Sequence, residues 1–175
     1  MNGLRGAGTR PAAPWRLEAL ALATRGPERD TASAMSEENV EESVRRGYAR
    51  FNGAERGPAD EKELASLDVW HPDGVYVNSA NDPDPAVHRG IEAVRRQVGR
   101  WVDAYPDLQV EPLEIQTNGN RAFAWVQFSG HGAASGVPID MEMAHVVTID
   151  EGGKTLRIEE YPERADGLEA AGLSE

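Results

Sequence analysis

Apolar and polar side chains alternate along residues 137–149, Val-Pro-Ile-Asp-Met-Glu-Met-Ala-His-Val-Val-Thr-Ile. A period of two over this length predicts a half-buried β-strand. One face carries Val137, Ile139, Met141, Met143, His145, Val147 and Ile149, and this face is expected to point inward. The other carries Pro138, Asp140, Glu142, Ala144, Val146 and Thr148. His145 is therefore the ionisable group on an otherwise apolar stripe. The strand opens at Gly136, and further strands are predicted over 107–116, 121–132 and 155–161. Asn118-Gly119 and residues 150–153 supply the hairpin turns.

The first half of the chain follows a helical period. Ser36 can cap a helix whose first turn holds Glu37 and Glu38, where the helix dipole favours acids. Val40, Val44, Tyr48 and Phe51 make its apolar face, and Asn52-Gly53 ends it. A second helix is expected over 58–69, with Leu64, Leu67 and Trp70 inward. His71-Pro72-Asp73-Gly74 reads as a turn, residues 74–79 as a strand with Val75, Tyr76 and Val77, and residues 80–86 as an exposed loop or lid. A third helix over 91–105 aligns Ile91, Val94, Val98, Trp101, Val102 and Tyr105, and Pro106 ends it. A short helix over 163–172 closes the chain. Helices with one early strand, then a meander of long strands, make an α+β layout.

Composition narrows the function classes. The 175 residues suit one domain with a sizeable core. A net charge of −12 and a pI near 4.8 argue against nucleic acid and anionic membranes as partners. With no cysteine, disulfides and thiolate metal sites are excluded. No apolar run approaches the ~20 residues of a membrane helix, and the expected location is the cytoplasm. Residues 1–34 stand apart: Ala, Gly and Pro abound, with five arginines against Glu18, Glu28 and Asp30. Glu18 interrupts the Ala/Leu-rich stretch at 15–23 that would otherwise pass for a signal-peptide core. The expectation is a disordered or mis-assigned extension over 1–34, translation starting at Met35, and one domain over 35–175.

Five segments, taken together in their order and spacing, carry a resemblance. They are Glu38-Asn39-Val40-Glu41, residues 45–52 (Arg-Arg-Gly-Tyr-Ala-Arg-Phe-Asn), Trp70-His71-Pro72-Asp73, Arg89-Gly90, and residues 161–168 (Tyr-Pro-Glu-Arg-Ala-Asp-Gly-Leu). Over residues 35–173 the chain resembles the SnoaL-like branch of the nuclear-transport-factor-2-like superfamily. The resemblance implies an α+β fold, a cone-shaped, strongly curved mixed sheet wrapped around about three helices (the cystatin-like α+β barrel), with a pocket between sheet and helices. It also implies a range of functions: polyketide cyclases, ketosteroid isomerases, dehydratases, epoxide hydrolases and non-catalytic binding modules share the fold, so fold alone does not decide among them. Laid onto this chain, the isomerases' helix-one tyrosine falls on Gly47, one residue from Tyr48. Their base falls on Asn78, which cannot abstract a proton, and their protonated acid falls on His145. Steroid isomerisation is disfavoured on that count, and the Asp-Arg-Asp set of the epoxide hydrolases is not evident either.

The candidate chemistry centres on His145. If Ile149 pairs with Lys154 across the last hairpin, His145 lies opposite Ile158 with Glu160 diagonal on the same face, and Leu156 and Ile158 turn inward. A one-residue slip would bring Glu159 opposite instead. His145 with Glu160 is the candidate catalytic pair, a general base whose imidazolium the carboxylate favours. The plainer alternative is a histidine hydrogen-bonded in the core. Tyr48 and Asn78 are candidate hydrogen-bond donors to a ligand; Trp101, Tyr105 and Trp125, with Phe123, are candidate aromatic walls, and Met143 an apolar one. Each also reads as an ordinary core or surface position. His71, His88, His131 and His145 lack metal-ligand spacing, so no metal is expected, and no organic cofactor. Gly130-His131-Gly132 joins two strands rather than opening a helix, which disfavours a phosphate loop. Arg95, Arg96 and Arg100 make a basic patch best read as a solvated or salt-bridged face.

Three function classes stay open. One is a cofactor-independent cyclase, isomerase or hydrolase moving protons on a small apolar, polyketide-, terpenoid- or steroid-like substrate. Another is a ligand-binding protein without chemistry. The third is a homodimeric interaction module pairing through the outer sheet face, where Glu142, Ala144 and Val146 lie.

Overall fold

A computed structural model describes residues 35–53, 68–82 and 85–174. The helix expected over 58–69 lies outside the described residues but for its last two positions, and the extension over 1–34 lies outside them altogether.

Helix α1, Glu37–Gly53, starts as its sequence directs: the Ser36 hydroxyl accepts the Asn39 N–H at 3.3 Å, with Glu37 and Glu38 in the first turn. Its buried face holds Val40, Val44 and Tyr48. At its far end the Asn52 amide donates to the Val110 carbonyl at 2.9 Å and accepts the Val110 N–H at 3.0 Å, clamping the helix to the sheet. Next come β1 (Trp70–Val77), β2 (Val87–Arg89) and α2 (Ile91–Ala104), then β3 (Gln109–Asn118), β4 (Arg121–His131), β5 (Pro138–Ile149), β6 (Thr155–Tyr161) and α3 (Arg164–Ala171).

The six strands form one mixed sheet in the order β2-β1-β6-β5-β4-β3. β1 and β6 run parallel and every other neighbouring pair antiparallel. This is the α+β architecture expected, with the sheet left open. Two local expectations change. Residues 71–74 are not a free turn but lie inside β1, where the register against β6 shifts between Trp70 and Val75. Val87–Arg89 form a short edge strand, pairing with residues 75–77, that the loop reading of this region did not include.

Both faces of β5 are buried in its second half, which the single inward stripe did not anticipate. On the inner face Met143, His145, Val147 and Ile149 pack beneath α1 with Val126 and Phe128 of β4. On the outer face Ala144 and Val146 are covered by Leu168 and Ala171 of α3, together with Phe123. α3 comes this close because its residue over Ala144 is Gly167, where an added Cβ would lie 2.4 Å from that of Ala144. Gly172 then ends α3 in the left-handed conformation, φ 77°. Ala144 and Val146, expected on an exposed dimer face, are thus core residues, while Val137, expected inward, is 61% exposed.

Candidate functional site

The last hairpin sets the site. Asp150 accepts the Gly152 and Lys154 N–H groups at 2.9 and 2.8 Å, and Ile149 pairs with Thr155 rather than Lys154. A bulge between Thr148 and Ile149 then adds a second step, so Ile158 faces Val147 and Glu160 faces His145. A shift of two residues leaves every side chain on its own face. Glu160 is therefore on the expected face but directly across from His145, and Glu159 turns outward to Arg157 at 2.8 Å.

Between α1, α2 and the inner face of the sheet lies a cavity of about 100 Å³. Val44, Tyr48 and Phe51 enter from α1, Trp70 and Tyr76 from β1, Val98 and Trp101 from α2, and Phe128, His145, Val147 and Ile158 from the later strands. Its lining is almost wholly carbon; besides the indoles of Trp70 and Trp101, only Tyr48, Tyr76, His145 and Thr155 among the lining residues carry polar side-chain atoms.

His145 is 3% exposed. Its ring stacks on Tyr48, centroids 6.0 Å apart, and meets Phe128 edge-on at 5.6 Å. Nδ1 is 3.0 Å from the Tyr48 hydroxyl. Nε2 is, among the described residues, the buried side-chain polar atom with no hydrogen-bond partner. Burial lowers the His145 pKa to about 4, so the ring is neutral at pH 7. The opposite shift expected from a neighbouring carboxylate is not found, and Glu160 makes its hydrogen bonds elsewhere. It accepts hydrogen bonds from the Tyr76 hydroxyl and from the Ser79 N–H, the latter at 2.9 Å. Burial raises the Glu160 pKa, the two hydrogen bonds pulling the other way. Tyr48 and Tyr76 are both raised, first by burial and then by the charge of Glu160, and both remain phenols.

The structure thus brings Tyr48, Trp101 and His145 together on one cavity, with Glu160 behind Tyr76. The other candidates fall elsewhere, each for a physical reason. Ala124 pairs with His145, so Trp125 points to the opposite face, where its Nε1–H donates to Glu142 at 2.7 Å. Phe123 shares that face. Asn78 is buried but turned towards the neighbouring loop and edge strand, donating to Asp82 at 2.9 Å and accepting from His88 at 2.7 Å. Tyr105 packs on Trp101, centroids 5.9 Å apart, away from the cavity, and Met143 fills the core deeper along β5. Tyr76 and Phe128 were missed. The signal for Phe128 was the alternation Ala122, Ala124, Val126, Phe128, apolar throughout, against a partner face that ends in Gln127 and Ser129. Among the described residues no three His, Asp or Glu side chains gather as a metal site. No helix there is long and apolar enough to cross a membrane.

Comparison with known proteins supplies the context. The SnoaL-like domain matches residues 44–158. No curated protein matches the chain. Among solved structures, a protein from Jannaschia sp. described as a SnoaL-like polyketide cyclase is 16% identical, with a TM-score of 0.60 over 83% of this chain and 97% of its own. A protein of ketosteroid-isomerase-like fold from Catenulispora acidiphila, in complex with trimethylamine, is 19% identical, with a TM-score of 0.57 over 75% and 93%. A protein from Sinorhizobium meliloti described as a polyketide cyclase is 20% identical, with a TM-score of 0.52 over 72% and 99%. At these identities the likeness is one of fold.

Proposed function

The chain belongs to the SnoaL-like domain family, and from that premise we propose that its cavity binds one small, largely apolar molecule oriented by His145. The observation that carries this reading is the buried, unpartnered Nε2 of a residue lining an otherwise carbon-walled space. A buried polar atom without a partner costs free energy, and a guest that reaches it recovers that cost. Volume supports the small end of the substrate range. An apolar cavity of ~150 Å³ holds benzene, so about 100 Å³ puts the guest at or below the size of a single ring, well short of a fused polyketide or steroid skeleton. That a neighbour of the same fold is in complex with trimethylamine agrees with a guest of this scale.

Titration of the purified protein with single-ring and short-chain compounds, followed by amide chemical shifts, tests the reading. The expected result is saturable shifts at residues lining the cavity, weakened in His145→Phe; shifts scattered over the surface would reject it.

A second reading makes the protein an enzyme without organic cofactor that moves a proton on the same guest. It is favoured by one feature: Tyr76 lines the cavity and donates its hydroxyl hydrogen to Glu160 behind it. Glu160 would then serve as a base through Tyr76, taking the phenol hydrogen as the phenol oxygen takes a proton from the guest. Product detection by mass spectrometry with Tyr76→Phe as control separates the readings, since binding without turnover leaves the first alone standing.

A further inference from the structure

Resting on the reading of the cavity as a small-molecule site, we infer that Tyr48 fixes His145 in the tautomer with its hydrogen on Nε2, so that the cavity selects a neutral carbonyl compound. Hydrogen bookkeeping at one contact decides the tautomer. The Tyr48 hydroxyl is a phenol, which keeps its hydrogen far above neutral pH and needs an acceptor for it. Among the described residues its one hydrogen-bond partner is His145 Nδ1, at 3.0 Å. If Nδ1 carried a hydrogen it would donate to the phenol oxygen, leaving the phenol hydrogen buried with nothing to accept it. The charged imidazolium has the same defect and adds a buried cation. The acidic group facing it, Glu160, is turned to Tyr76 and Ser79. The arrangement that satisfies both residues has Tyr48 O–H donating to a bare Nδ1.

His145 lines the cavity, so a guest that reaches its ring edge meets Nε2–H, the positive end of an N–H dipole. A carbonyl oxygen answers it; an isosteric hydrocarbon does not, and an ammonium meets it with like polarity. The rival guest has some claim, since Trp70, Tyr76 and Trp101 line the cavity and aromatic faces attract cations. Tyr48 is, in these terms, a positioning residue acting through His145, and the specificity lies in which nitrogen holds the hydrogen.

Side-chain ¹⁵N–¹H correlation spectra of the full chain at pH 7, with His145→Gln to identify the signals, test the assignment. The expected wild-type pattern is a protonated Nε2 and a bare Nδ1, moving towards a tautomer mixture in Tyr48→Phe, which a purely structural role for Tyr48 would not produce. A protonated Nδ1 in the wild type overturns the inference. Three probes are then titrated: cyclohexanone, methylenecyclohexane and trimethylamine, which is cationic at this pH. Cyclohexanone is expected to bind about tenfold more tightly than methylenecyclohexane, the scale of one neutral hydrogen bond, with most of that preference lost in Tyr48→Phe. Equal binding of the two rings, or preference for the ammonium, overturns the inference and leaves the pocket reading intact. Binding of none of the three overturns the pocket reading itself, whatever the tautomer. Should Tyr48→Phe fail to fold, the wild-type tautomer and the wild-type ratio of the two rings still decide.

Discussion

His145 and Glu160 stand directly across from each other on β5 and β6, yet each makes its hydrogen bonds elsewhere. His145 turns to Tyr48 on α1, and Glu160 to Tyr76 on β1 and the backbone beyond it. One strand pair thereby carries two separate polar groups, a neutral imidazole on the cavity and a carboxylate tied to its rim, in place of the base-and-carboxylate couple their pairing suggests.

The separation has a pH signature. His145 is held neutral, with a folded pKa of about 4 against 6.5 when free. The unfolded chain binds the extra proton first, so stability is fully present above pH 6.5 and declines as the pH falls towards 4. The difference corresponds to roughly 3 kcal/mol. Glu160 acts in the opposite sense, its raised folded pKa making its contribution fall as pH rises through that value. Urea unfolding from pH 7 to pH 4 is expected to show a shallower acid loss in His145→Gln than in the wild type; identical slopes would mean His145 is not buried neutral.

Removing Glu160 strands two donors. In Glu160→Leu the Tyr76 hydroxyl and the Ser79 N–H lose their acceptor inside the fold, at an expected cost of about 2–5 kcal/mol. The Tyr48–His145 hydrogen bond, which does not use Glu160, should persist, with His145 Nδ1 still bare. Denaturant midpoints and histidine spectra of the variant check both halves.

The packing of α3 is tight enough to be tested by one methyl group. Gly167→Ala sets a Cβ within 2.4 Å of Ala144 and about 3.1 Å from Phe123, and is expected to destabilise by about 1–3 kcal/mol. Ala144→Gly in the same chain should return part of the loss, so a double-mutant cycle with no coupling would contradict the contact.

Much of this was legible in the chain. Alternation over 137–149 marked β5 as a strand and His145 as its inward ionisable group, and the 3–4 spacing of Val40, Val44 and Tyr48 marked the face of α1 that covers it. The register was harder. Leu156 is apolar and fits a regular ladder as well as a bulge, so nothing local announced the extra step that sets Glu160 opposite His145. The face of Trp125 is hard to read from the sequence because the sheet is covered on both faces, and buried strands lose the polar alternation that tells in from out. Asn78 was read as a pocket donor because its orientation depends on Asp82 and His88, partners that come together only through the loop and edge strand after it.

Whether His145 orients a guest in the cavity is decided by a crystal structure of the protein soaked in cyclohexanone. The ring is expected inside the cavity beside Trp101 and Phe128, with its oxygen about 2.7–3.2 Å from His145 Nε2. A ring bound elsewhere on the molecule, or one in the cavity with its oxygen turned away from His145, would contradict that role of His145.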